Sequence, residues 1–326
     1  MASGRLGGLA SPLVRQLARQ LAQAVPVLLI VAVLTFFLMH LLPGDPASVI
    51  AGPEASKEAV AQIRTQLGLD LPLHEQLLVW FGHLARGDLG RSLVLNQPVT
   101  EAVLERLPVT MSLALVSFAL TLPLGIAAGV LAACFRNTWF DAFVMLMALI
   151  GVSAPSFWIA ILSVLLFSVS LQWLPSAGYV PIAQGLWPWF AALLQPAFIL
   201  ALFQIGFLAR ITRSAMLDVL DQDFIRTARA KGVSEWKTIS KHAFRNTLIP
   251  VVTVCGIIFS LLVGGSVVIE QVFALPGIGR LIVQAIIGRD YPVVQGTLLL
   301  LGFVFVLLNL AIDVLYTLVD PRVRYG

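Results

Sequence analysis

Charge is scarce in this chain. Only 12% of its 326 residues are Asp, Glu, Lys or Arg, where a soluble domain carries about 25%. That leaves too little polar surface to dissolve a chain of this size, which excludes the soluble globular class. Cysteine is scarcer still. Cys134 and Cys255 are the only two, both in or beside apolar runs. A disulfide framework and a cysteine metal site are therefore excluded, and both cysteines read as small buried hydrophobes. Of the four lysines, Lys57, Lys231, Lys237 and Lys241, none follows a glycine. A Walker A loop needs Gly-Lys-Ser/Thr to cradle phosphates, so this chain has no nucleotide site of that kind. The histidines (His40, His74, His83, His242) form no HExxH and no pair at metal spacing inside a span. No paired Ser/His, Asp/Asp or zinc set lies at bilayer depth, so nothing equips the chain as an intramembrane hydrolase. A net charge of +4 carries no nucleic-acid signature.

What remains is apolar. Hydrophobic residues make up 59% of the chain, and the mean hydropathy is +0.93. Uncharged runs of about 20 residues have the length a helix needs to cross a bilayer. The expected class is an all-α polytopic membrane protein. Six spans are read: Ala24–Leu42, Met111–Ala133, Phe140–Leu171, Phe190–Ala209, Leu248–Ile269 and Val293–Leu318. Ser11-Pro12 reads as the start of a short interfacial helix, with Leu13, Leu17 and Leu21 on one side and Arg15 and Arg19 between. The first span reads as an uncleaved anchor. It is long for a signal core, and Pro43-Gly44-Asp45-Pro46 follows it in place of a small-residue cleavage site.

The third span holds Pro155 near its middle, and charge decides whether it is one span or two. The loop at 210–246 carries eight Lys or Arg, and the loop at 172–188 carries none. Basic loops face the cytoplasm. One span at 140–171 puts the basic loop inside, with Arg5, Arg15 and Arg19. The expectation is one long, tilted, proline-bent span, six spans in all, and both termini in the cytoplasm.

The domain organisation follows. Residues 1–42 form a cytoplasmic amphipathic segment and first span. Residues 43–106, the only long polar stretch, carry eight acidic and five basic residues. They read as a small folded extracytoplasmic insert: Ser56 starts one helix, Gly68 ends it, and Pro72 opens another with Leu73, Leu77, Trp80 and Leu84 on one side. Residues 107–319 form a five-helix transmembrane domain, and 320–326 a cytoplasmic tail.

The cytoplasmic loop is the informative segment. Asp221 and Asp223 sit where a helix N-terminus favours negative charge, and Arg229 and Lys231 where its C-terminus favours positive charge. Gly232 suits the left-handed position that ends a helix. Ser234 then starts a second helix, with Trp236, Ile239, Ala243 and Phe244 at core-facing spacing. The product is a short, terminated helix held out as a knob, a shape that suits docking into a partner's groove. A basic amphipathic loop on anionic lipid is the rival reading. Asp313 is the one ionisable residue deep in a span, with Glu270 at the edge of another. An intramembrane acid is a functional candidate by default, so an ion-coupled secondary carrier acting alone is the alternative function. An ordinary ion pair near the membrane face is the simpler role for Asp313. Gly125, Gly129, Gly264 and Gly265 permit close helix contact.

These segments resemble the permease subunits of binding-protein-dependent ABC importers. Their cytoplasmic loop reads Glu-Ala-Ala, three residues, Gly, nine residues, Ile-x-Leu-Pro. Of that general form only Ala228 and Gly232 match here. The run Asp223-Phe-Ile-Arg-Thr-Ala-Arg-Ala-Lys-Gly232, with His242-Ala-Phe-Arg-Asn-Thr-Leu-Ile-Pro250, is similar to the peptide/nickel branch, and within it to the first, B-type permease. So are Leu42-Pro-Gly-Asp-Pro46, Arg86-Gly-Asp-Leu-Gly-Arg-Ser92, Glu105-Arg-Leu-Pro-Val-Thr110, Ala154-Pro-Ser-Phe-Trp158, Gly264 to Phe273, Pro276-Gly-Ile-Gly279 and Arg289-Asp-Tyr-Pro292.

The resemblance implies the type I importer fold in a bacterial inner membrane and uptake of di- or oligopeptides or similar small solutes. It implies a second homologous permease, two cytoplasmic ATPases and an extracytoplasmic binding protein. No cofactor is expected on this chain, and ATP and Mg would sit on the ATPases. Asp223, Phe224, Arg226, Thr227, Ala228, Lys231 and Gly232 would form the coupling helix. Glu270, Pro276, Gly277 and Gly279 would lie at the outer face, as a gate element, a binding-protein contact or a structural turn.

Overall fold

The computed structural model describes residues 22–37, 40–41, 45–52, 54–66 and 68–319, with side chains given to residue 310. The interfacial helix expected from Ser11, the Leu42-Pro-Gly segment and the tail at 320–326 lie outside the described residues, as does the side chain of Asp313. Among the described residues every regular element is helical, and one isolated bridge joins Arg91 to Pro98. Two compact units are present: Met1–Pro108 with Arg280–Val314, and Val109–Gly279 with Leu315–Gly326.

The first unit begins with α1 (Ala22–Phe37). The polar stretch folds into α2 (Pro46–Ala51), α3 (Lys57–Gln66), α4 (Leu73–Ala85) and α5 (Val99–Leu104). Local signals set these ends. The Asp45 carboxylate accepts the Ala47 N–H at 3.2 Å, and the Ser56 hydroxyl accepts the Ala59 N–H at 3.2 Å. Gly68 closes α3 at φ +67°. The unit continues through most of α13 (Ile278–Ile287) and into α14 (Tyr291–Val319). Asp290 caps α14. Its buried carboxylate accepts the Ser92 hydroxyl, the Val94 N–H at 3.2 Å and the Val293 N–H at 3.4 Å. The Arg86–Ser92 and Arg289–Pro292 motifs, far apart in sequence, thereby meet at one carboxylate.

The second unit holds most of α6 (Leu107–Cys134), then α7 (Trp139–Ser153), α8 (Ser156–Ser163) with a π-helical extension at Val164–Ser170, and α9 (Leu186–Leu220). After α10 (Asp223–Ala230) and α11 (Glu235–Lys237) comes a π turn at Thr238–Ala243, then α12 (Phe244–Val272). Helix α9 is the axis of this unit. Its 35 residues run about 52 Å at 1.5 Å each, beyond the roughly 30 Å hydrocarbon layer. Small residues let its neighbours close in: a Cβ on Gly129 would stand 2.5 Å from the Ala209 carbonyl, and one on Gly206 2.6 Å from the Ala148 carbonyl. The Gln195 amide of α9 donates to Ser163 at 2.9 Å and accepts from Ser168 at 3.0 Å, tying α8 to it.

Among the described residues four helices are long and apolar enough to cross a membrane: Val99–Cys134, Leu186–Leu220, Pro250–Val272 and Tyr291–Leu310. The segment expected as one long tilted span is different. Trp139–Ser153 and Ser156–Ser170 meet at 102°. Pro155 lacks the N–H needed to continue the helix and holds Ala154 extended at φ −79°, ψ 135°. Each arm is about 22 Å long, too short to cross alone. The proline makes a corner, not a gentle bend, and the pair is at most a fifth crossing. The cysteines also differ from expectation. Cys134 is exposed and Cys255 half-buried, because a membrane helix carries apolar residues on its outward faces as well.

Candidate functional site

Helix α10 follows α9 after a two-residue turn. Seven of its eight residues keep open surface, and Ile225 alone is fully buried. Ile225 joins a closed cluster with Ala133 of α6, Met216 of α9 and Ala243 before α12, with Ile239 and Leu220 packed around it. Thr247 completes the floor, its hydroxyl 3.4 Å from the Met216 sulfur. The helix is thus a knob on a single apolar stem.

Its C-terminus closes as the sequence anticipates. Gly232 sits at φ +76°. The Gly232 N–H donates to the Arg229 carbonyl at 2.9 Å, and the Val233 N–H to the Ala228 carbonyl at 3.2 Å. This pair of bonds is the Schellman closure, which satisfies carbonyls left over at a helix end. Arg229 then forks onto Glu235 at 2.6 and 3.1 Å, clipping α10 to α11. The charge-assisted bonds raise the Arg229 pKa and hold the Glu235 carboxyl below its ordinary range.

The remaining expected residues fall on the open faces. Asp223 is almost wholly exposed and lies 3.5 Å from Arg226. Phe224 is 45% exposed. Thr227 bonds back to the Asp223 carbonyl at 2.9 Å, and Lys231 projects into the open. Trp236, expected to face the core, is 76% exposed. A π turn starting two residues later shifts the helical register, so Thr238 and Ala243 take the buried positions.

A bidentate ion pair braces the base of this assembly. Asp141 of α7 accepts from Arg213 of α9 at 2.6 Å through each oxygen, and also takes the Asn137 N–H at 3.1 Å. Arg136 reaches Asp221 at 3.6 Å. Reasoning from sequence missed Ile225, Asp141 and Arg213. The only signal for Ile225 was an aliphatic side chain larger than alanine on a short, highly charged helix.

At the other end of α12, Glu270 has no exposed surface. Its carboxylate accepts the Thr110 hydroxyl at 2.7 Å, and Thr110 in turn accepts the Ile278 N–H at 2.9 Å. A Cβ on Gly277 would collide with that carboxylate, and one on Gly279 with the Val267 backbone. Glu270, Gly277 and Gly279 therefore form one buried clasp with Thr110, while Pro276 faces outward.

Comparison with known proteins accounts for this layout. Residues 125–325 match the model of the inner membrane component of binding-protein-dependent transport systems. Residues 13–114 match the N-terminal model of the same membrane components. A Brucella abortus protein named as a peptide transport system permease is 64% identical over 307 residues, covering 94% of this chain and 98% of that protein. The glutathione transport system permease protein GsiC of Salmonella typhimurium is 45% identical over the same coverage. Two inward-facing crystal forms of the MetNI methionine ABC transporter share the fold. Their TM-scores are 0.53 and 0.56 at 23% and 22% identity, covering 68% and 67% of this chain. The chain belongs to the inner membrane component family of binding-protein-dependent transport systems: it is a multi-pass ABC importer permease of the peptide/nickel branch, without enzymatic activity of its own.

Proposed function

We propose that this chain forms half of the translocation pathway for di- or oligopeptides, or for a small peptide such as glutathione, in a bacterial inner membrane. The substrate class rests on the names of its relatives. In this reading it pairs with a second homologous permease, two ATPases carry ATP and Mg, and an extracytoplasmic binding protein delivers solute. Six crossings, with α1 and the bent α7–α8 pair counted as one each, put both termini and the basic loop in the cytoplasm.

Helix α10 is the coupling helix, seated in a groove of one ATPase. The observation that carries this is its exposure pattern. Asp223, Phe224, Arg226, Thr227 and Lys231 are open to a partner, while Ile225 is locked among residues of α6, α9 and the α12 entry. A push on the open face reaches three spanning helices through one side chain. A docked partner shifts the balance of two conformations only by binding them unequally, and a stiff stem is what makes its binding sensitive to the conformation of the spans. At the opposite end, the Glu270 clasp would hold the outer ends of α6 and α12 as part of the gate.

The test is uptake in proteoliposomes containing the permease pair, the ATPases, the binding protein and ATP. Gly232→Pro cannot adopt φ +76° and loses the donor to Arg229, and Asp223→Arg reverses charge at the helix start. Both are expected to leave ATP hydrolysis running while solute uptake falls at least tenfold. An unchanged ratio of uptake to hydrolysis removes the coupling role. Uptake by this chain alone under a proton gradient, lost in Asp313→Asn, would make it the ion-coupled carrier instead.

A further inference from the structure

The unit containing α1 to α5 and the start of α14 encloses a cavity of about 240 Å3. Aromatic rings wall it: Phe36 of α1, Trp80 of α4 and Tyr291 of α14. The Phe36 and Trp80 centroids are 5.9 Å apart. The His40 ring lies 4.5 Å from Phe36 and 6.0 Å from Tyr291. It is fixed in place, with Nδ1 2.8 Å from the Phe36 carbonyl and Nε2 3.1 Å from the Gln76 Oε1. The walls are thus set before any guest arrives.

Gln295 stands one helical turn after Tyr291 and lines the same cavity. It is only 6% exposed, and its side chain adds an amide to a lining that is otherwise mostly apolar. Among the described residues no Asp, Glu, Lys or Arg lines the space, and its polar side chains are His40, Gln76, His83, Tyr291 and Gln295, a set suited to a neutral guest. The volume is below the roughly 300 Å3 where drug-sized sites begin, which suits a single ring system.

We propose that this cavity binds a neutral aromatic group bearing a hydrogen-bonding atom: the indole or phenol side chain of an amino acid or short peptide. Phe36, Trp80 and Tyr291 supply offset and edge contacts to its ring, and Gln295 pairs with its N–H or O–H. A lipid tail fits the apolar walls but leaves the Gln295 amide unmatched, so the aromatic guest is favoured. The proposal stands on the cavity alone and does not depend on which solute crosses the membrane.

The probe is N-acetyl-tryptophanamide, with N-acetyl-leucinamide as its aliphatic counterpart, added to the full chain with its partner permease in lipid nanodiscs. Equilibrium dialysis reads binding. The wild type is expected to bind the indole probe saturably and the leucine probe at least tenfold more weakly. Gln295→Leu keeps the side-chain bulk, removes the amide, and is expected to weaken indole binding about tenfold, the equivalent of one buried hydrogen bond. A melting curve matching the wild type's confirms that the variant folds. Absence of saturable binding to the wild type overturns the proposal, and this outcome needs no variant. So does equal affinity for the two probes. Displacement of the indole probe by a short alkyl maltoside, with Gln295→Leu binding as tightly as the wild type, would identify a lipid-tail pocket and also overturn it.

Discussion

Ile225 of α10 and Met216 of α9 lie in one sealed cluster, and neither exposes any surface. That relationship makes Ile225 the mechanical stem of the knob. Ile225→Ala should destabilise the local assembly by about 2–5 kcal/mol, and Ile225→Val by about 0.5–1.5 kcal/mol, as buried truncations do. The ratio of solute transported to ATP hydrolysed should fall in the same order. Thermal melting together with that ratio checks it. A normal ratio in Ile225→Ala would mean that force enters elsewhere.

The Asp141–Arg213 pair makes a different prediction, because both groups are largely shielded, at 7% and 24% side-chain exposure. Removing one partner of a buried pair strands the other charge, at a cost of about 3–5 kcal/mol. Arg213 retains some solvent access, so Asp141→Asn is expected near the lower figure, about 3 kcal/mol. The double variant Asp141→Leu with Arg213→Met should cost less than either single change. A double-mutant cycle on melting of the purified complex measures the coupling. Simple additivity of the two changes would show the pair to be energetically idle.

The features legible in the sequence were those written by neighbouring residues. The helix from Asp223, its end at Gly232, the Ser56 start and the Gly68 stop each depend on a few adjacent positions, and each lies where the residues dictated. The long-range joints were not legible. Asp141 and Arg213 are 72 residues apart, Thr110 and Glu270 160 apart, and Ser92 and Asp290 198 apart. No periodicity links such pairs. Pro155 marked a break but could not set its angle, since 102° is fixed by what the two arms pack against. Trp236 was misassigned because an α-helical period was extended across residues that wind as a π turn.

The pH response of the knob follows from Arg229 and Glu235. The bond to Arg229 lowers the Glu235 pKa from 4.5. Its stabilisation is therefore complete above pH 4.5 and is lost as pH falls through the lowered folded value. The same bond raises the Arg229 pKa beyond its already strongly basic ordinary value, so its contribution fades only in strong alkali. Across pH 5–9 the clip is expected to stay constant. Both side chains are more than 40% exposed, which limits the clip to at most about 1 kcal/mol and makes it salt-sensitive. Glu235→Gln should lower stability by no more than that at neutral pH. A strong transport dependence on pH between 5 and 9, abolished by Glu235→Gln, would contradict this assignment.

The Glu270 clasp yields a prediction of non-additivity. Gly277 has no room for a Cβ because the Glu270 carboxylate fills that space. Gly277→Ala must push the carboxylate away from Thr110, costing the hydrogen bond and adding strain of about 1–3 kcal/mol. Glu270→Ala alone empties the same space and leaves the Thr110 hydroxyl without that acceptor, a loss of about 1–3 kcal/mol. Made together, the changes relieve each other: the alanine at 277 occupies volume that the missing carboxylate vacated. The double variant should therefore be more stable than the sum of the single effects predicts, by about 1 kcal/mol or more. Melting of the four forms in the same nanodisc decides it. Strict additivity would mean that the turn relaxes around a Cβ at no cost, and that Gly277 is there for some other reason than the carboxylate beneath it.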